Sequence, residues 1–120
     1  MTKILVIDDD ADIRKLLEIR LASDGYDTAF AWDAVTALTI ARKESPDLIV
    51  LDLDLGVAGG DGYVVMERLQ ALAPMTPIVV LSAQPANPNA EKSRAAGATA
   101  FVEKPFGVEV LLAAVRDALS

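Results

Sequence analysis

The 120-residue chain contains no cysteine and no histidine. Without thiols it can form no disulfide, no thiolate metal site and no thiol nucleophile, and without imidazole it lacks the side chain that most often moves protons near neutral pH. Any chemistry must run on carboxylates, lysine, hydroxyls or a metal. No apolar run approaches the roughly 20 residues that span a bilayer, and a first strand beginning at Lys3 leaves no room for a signal peptide. The expectation is a soluble, cytoplasmic protein with no membrane contact. Basic residues are scarce too: 11 Lys and Arg face 18 Asp and Glu, the net charge is −7, and no basic stripe forms, so this domain is not expected to bind nucleic acid directly. What the chain has in surplus is carboxylate. Some of it can be gathered to hold a cation.

With 52% hydrophobic residues, a chain of this length fits one domain, residues 1–120, around one core. Five apolar runs, "KILVI", "YDTAFAW", "DLIVLD", "PIVVLS" and "TAFVEK", alternate with five stretches of helical spacing or composition. That is a βα repeat, and it predicts an α/β fold with a parallel sheet. Runs one, three and four are continuously apolar, as strands covered on both faces are, whereas the second and fifth are mixed and fit the edges.

The spacing predicts helices over about 11–23, 34–44, 62–72, 90–96 and 108–119. Asp10 or Asp12 is placed to cap the first, Gly25 to end it in a left-handed turn, and Asp33 to cap the second. Ile13, Leu16, Leu17, Arg20 and Leu21 share one face of the first helix; Val35, Leu38 and Ala41 are expected to face inward from the second. Val65, Leu69 and Leu72, with Val64 beside them, are the inward set of the third, and Val108, Leu111, Leu112 and Val115 that of the fifth. Pro85 and Pro88 are expected to leave the fourth helix short and mobile. Trp32 reads as loop packing.

In an open parallel sheet, ligands bind beyond the carboxyl ends of the strands, where the strand order reverses. Strand one ends in Asp8, Asp9 and Asp10, strand three in Asp52 and Asp54, strand four in Ser82, and strand five in Lys104. Carboxylates from neighbouring strands repel unless a cation lies between them, and an all-oxygen donor set favours Mg²⁺ or a similar ion. A metal held by acids, a carboxylate, a hydroxyl and an ammonium are the parts needed around a phosphoryl group. Transfer to a carboxylate needs no base, because the nucleophile has no proton to lose. The missing histidine is then no obstacle.

The segments "VIDDD", "IVLDLD", "VVLSA" and "FVEKPF", in this order and spacing, resemble the receiver domain of two-component response regulators over essentially the whole chain. The resemblance implies a flavodoxin-like (βα)5 fold with sheet order 2-1-3-4-5. It implies Asp52 as phosphoacceptor; Asp8, Asp9, Asp52 and the backbone carbonyl of Asp54 as Mg²⁺ ligands; Ser82 as switch hydroxyl; and Lys104 as the phosphoryl-contacting lysine. A histidine kinase or phosphotransfer protein is the implied donor, and helix four, strand five and helix five the implied switching surface. The downstream effector stays unspecified. The resemblance makes Lys104–Pro105 a candidate cis bond. Phe101 stands between plain packing and an aromatic switch, and the side chain of Asp54 is expected to be exposed to solvent.

Two features depart from the family pattern. The segment "DLDLGVAGGDG" is two residues longer than usual, with Gly56 where proline is common, and predicts mobility over 56–60; the prolines of the fourth helix are the other departure. The glycine-rich stretch lacks the Lys-Ser/Thr ending of a nucleotide-binding loop. A rival reading takes Asp52 and Asp54 as the nucleophile and acid/base of a haloacid-dehalogenase-type phosphatase. Against it, that family carries its nucleophile on the first strand, and no cap insertion is present.

Overall fold

The computed structural model describes residues 2–55, 62–83 and 86–120, with residues 86–90 described in backbone only. The elements run β1 (Lys3–Ile7), α1 (Ala11–Ser23), β2 (Asp27–Ala31), α2 (Ala34–Glu44), β3 (Leu48–Asp52), α3 (Gly62–Leu72), β4 (Ile78–Ser82), α4 (Ala86–Ala95), β5 (Ala100–Glu103) and α5 (Val108–Leu119). All strand pairs are parallel and the sheet order is 2-1-3-4-5. The strands β3 and β4, apolar up to their final Asp52 and Ser82, are buried at every residue. The mixed strands β2 and β5 lie at the edges, where one flank faces no neighbouring strand among the described residues.

Side-chain alternation along the strands divides the core in two. Leu5, Ile7, Ile49, Leu51, Ile78 and Val80 pack against Ala37 and Ala41 of α2 and Val65, Met66 and Leu69 of α3. Ile4, Val6, Leu48, Val50, Val79 and Leu81 pack on the other face against Leu17 and Leu21 of α1 and Leu111, Leu112 and Val115 of α5. Ion pairs Arg20–Glu109 and Arg116–Asp24 tie α1 to α5 along their exposed flanks.

Local caps explain where the helices begin. The Asp10 carboxylate accepts from the N–H groups of Asp12 and Ile13, and Asp33 and Thr36 form a reciprocal capping box on α2. That box sets the phase of α2 and corrects the inward set: Ala37 and Ala41 are buried, while Val35 is 74% exposed. Two residues of helix turn a side chain by about 200°, so Val35 and Ala37 cannot both face the sheet. Leu16, Val64 and Leu72 are likewise exposed, on the flanks of their helices. Trp32 is half exposed rather than packed into a loop.

The fourth helix is also corrected. It begins at Ala86, four residues before the expected start, and is ten residues long. Pro88 falls in its first turn, where the missing N–H has no intrahelical partner to lose. The expected mobility of 56–60 falls on residues outside those described.

Gly25 has φ +90° at the end of α1, as the left-handed cap requires. Gly62 is needed for a different reason. A Cβ there would lie 2.4 Å from the carbonyl oxygen and 2.7 Å from the Cα of Leu53, beside the end of β3. Gly62→Ala is therefore expected to lower stability by about 1–3 kcal/mol, because backbone must move. A urea midpoint unchanged from the parent protein would contradict this.

Candidate functional site

The end of the sheet collects the side chains that the strand ends promise. Asp8 and Asp52 are nearly inaccessible, at 0% and 2% exposure. Lys104 reaches in from the end of β5 and places Nζ 3.0 Å from Asp52 Oδ2. The other carboxylate oxygen, Oδ1, accepts from the Asp54 backbone N–H at 2.8 Å. Among the described residues, Asp8, Asp9 and Asp52 each offer an oxygen lying within 4.8 Å of the others. Alternation accounts for the convergence: Asp8, Asp52 and Lys104 continue the register of Val6, Val50 and Val102, and so fall on the α1/α5 side. The ladder runs on past the assigned strand ends through Asp8 N–H to Ala31 O and Lys104 N–H to Ser82 O. It therefore carries these side chains on extended backbone.

The charges at this rim are mismatched without a cation. Burial pushes the Asp8 carboxyl up to about 7; a hydrogen bond from the Asp10 N–H pulls the other way, and the charge of Asp52 raises it further. Among the described residues, Asp8 Oδ2 is buried with no hydrogen-bond partner. For Lys104, burial works against the charged form, but the hydrogen bond and charge of Asp52, with Asp8 and Asp54 adding, outweigh it and raise its pKa. The acid cluster can bind a metal: a lone buried carboxylate oxygen among oxygen donors is a fitting place for a hard divalent ion.

Ser82 and Asp54 behave differently from the rest. Ser82 lies in the register of Ile78 and Val80, on the opposite side from Asp52. Its Oγ donates to Asp54 Oδ1 at 3.1 Å, and the Ala83 backbone N–H donates to Asp54 Oδ2. The Asp54 side chain, expected only to be exposed, is exposed and yet bridges two strand ends. A sequence signal was available: in Asp-x-Asp after a strand, the first carboxylate can accept from the N–H two residues on and so aim the second sideways. Arg14 was also missed; its guanidinium donates to the Asp8 carbonyl at 2.6 Å and supports that turn from α1. Phe101 is partly buried against the α2/α3 side of the core. The Lys104–Pro105 bond is cis.

Comparisons with known proteins agree with this geometry. Residues 4–116 match the family model described as response regulator receiver domain. The chain is 40% identical over 117 residues to a probable transcriptional regulator, ycf27, from Porphyridium aerugineum, and 39% identical to the DNA-binding response regulator MtrA of Mycobacterium tuberculosis; 98% of this chain is covered in each case. It spans about half the length of those relatives, 48% and 50% respectively. The crystal structure of the receiver domain of NtrX from Brucella abortus superposes with a TM-score of 0.89 at 34% identity, covering 97% of both chains. Nothing in these likenesses favours a haloacid-dehalogenase-type phosphatase. A rim of acids and one lysine on a 2-1-3-4-5 sheet, matched by family model and fold alike, places the chain in the response regulator receiver family of two-component signalling.

Proposed function

We propose that Asp52 is the phosphoacceptor of this receiver domain, and that residues 1–120 act as one cytoplasmic switch served by a histidine kinase or phosphotransfer protein. The observation that carries the reading is the buried Asp52 carboxylate, 3.0 Å from the Lys104 ammonium and adjacent to the Asp8 and Asp9 acids. Asp52 Oδ2 is the attacking oxygen, since Oδ1 is held by a backbone N–H while the partner of Oδ2 sits on a flexible stem. As the O–P bond forms, the P–N bond to the donor imidazole breaks and its electron pair stays on nitrogen. Lys104 then transfers its contact to a phosphoryl oxygen. Asp8, Asp9, Asp52 and the Asp54 carbonyl would hold Mg²⁺, which supplies positive charge to the phosphoryl oxygens. The same groups serve the later attack of water, so the domain catalyses its own phosphorylation and dephosphorylation. It needs no direct nucleic-acid contact for this.

The new negative charge draws on Ser82 and Lys104 and biases the surface formed by α4, β5 and α5, with Phe101 as the aromatic that reports it. Incubation with acetyl phosphate should give up to one phosphoryl group per chain with Mg²⁺ and none with EDTA. Sustained turnover of a phosphomonoester instead would indicate a phosphatase and defeat the reading. Lys104→Ala is expected to slow labelling about tenfold and to leave the α4, β5 and α5 resonances unmoved in the labelled fraction. If those resonances still shift as in the parent protein, Lys104 is not part of the relay.

A further inference from the structure

The carboxylate of Asp54 makes contacts that phosphoryl transfer does not require. It accepts from Ser82 Oγ and from the Ala83 N–H, one donor to each oxygen. Its own backbone N–H is committed to Asp52 Oδ1, which fixes the turn that aims it. Asp52 and Leu81 are register partners on β3 and β4, so the two donors begin one residue beyond the partner of the acceptor. A carboxylate bound by a hydroxyl and an adjacent N–H occupies its donors much as two oxygens of a phosphoryl group would. Both donors stand at the end of the strand beside the one that carries Asp52, directly after its register partner Leu81.

We infer that Asp54 is an internal competitor of the phosphoryl group: it holds the Ser82 hydroxyl and the Ala83 N–H in the unmodified protein and must be displaced when Asp52 carries phosphate. Asp54 is a positioning residue, acting through Ser82 and Ala83. The inference rests on Asp52 being the acceptor. It gives Ser82 Oγ and the Ala83 N–H two mutually exclusive partners, the Asp54 carboxylate or the phosphoryl oxygens. The balance between them sets how readily the switch moves. The arrangement also accounts for an exposed carboxylate being held by two donors at a strand end already crowded with negative charge.

The test is a titration with beryllofluoride, a phosphoryl mimic, at saturating Mg²⁺, followed through the Ala83 amide by NMR. Before any beryllofluoride is added, Asp54→Ala should move the Ala83 amide proton upfield, as the bond to the carboxylate is lost. Half-saturation should then fall about five- to twentyfold relative to the parent protein. Asp54→Asn, which keeps a weaker acceptor, should fall between the two. Equal half-saturation for the parent and Asp54→Ala overturns the competition while leaving Asp52 as acceptor. Equal gains for Asp54→Ala and Asp54→Asn overturn it as well, since lost charge alone then accounts for the effect. If the parent protein forms no adduct, the acceptor assignment fails and the inference fails with it.

Discussion

Asp52→Asn is expected to reduce labelling by acetyl phosphate by at least about a thousandfold, to background, while leaving the fold intact. The amide matches the carboxylate in shape, and its oxygen can still accept from the Asp54 N–H. What it loses is the charged oxygen that attacks phosphorus, and an amide nitrogen facing Lys104 offers no nucleophile in its place. The effect on stability is a balance. Lys104 loses its partner at 3.0 Å, whereas Asp8, whose carboxyl is raised partly by the charge of Asp52, is relieved. These terms oppose each other, so circular dichroism and the thermal midpoint should change little. Undiminished incorporation in a folded Asp52→Asn protein would place the acceptor elsewhere.

Asp8→Asn is expected to alter both metal response and pH dependence. The Asp8 carboxyl sits at about 7 in the folded protein, against 3.8 as its ordinary value. The folded state therefore holds a proton that the unfolded state releases between those values, and stability contributed by this group is fully present below about pH 4 and lost as pH rises through about 7. In metal-free buffer the parent protein should lose stability across that window, and Mg²⁺ should restore it above pH 7 by binding the ionised form. Asp8→Asn should flatten the slope and be more stable than the parent at pH 8 without metal, by about 2–4 kcal/mol. It should also weaken Mg²⁺ binding and slow Mg²⁺-dependent labelling by about 10- to 100-fold. Denaturation across pH 4–8, with and without Mg²⁺, separates these effects. Parallel curves for the two proteins in metal-free buffer would show that the Asp8 charge is not the cause.

Most of the fold was legible because its signals are local. The limits of α1, α2, α3 and α5 agree to the residue with the spacing, and for α1 and α2 the caps Asp10, Gly25 and Asp33 act within one turn of their own helix. The misreading of α4 came from treating Pro88 as an interior breaker, when its effect depends on its distance from the helix start at Ala86. Val35 was misjudged because apolar character was weighed ahead of phase; once Asp33 is fixed as cap, Ala37 and Ala41 follow as the buried positions. At the site, residue type and strand-end placement were enough to bring Asp8, Asp9, Asp52 and Lys104 together. The engagement of Asp54 with Ser82 and Ala83 depends on how far two strands extend relative to each other. That offset is a property of the sheet, invisible in either segment alone.

The strand order has a consequence for the newborn chain. Asp8 follows β1 and Asp52 ends β3, which are neighbours in the sheet, but Lys104 follows an edge strand synthesised after all the others. During translation, domains form as units from the leading end, and the last strand can dock only when it has cleared the ribosome. On the proposed chemistry, a chain that has emerged only through β3 already carries the acids and still lacks the ammonium. Full competence for phosphoryl transfer thus waits for the segment that carries Lys104, and a copy that has not reached it responds only weakly to any phosphodonor it meets.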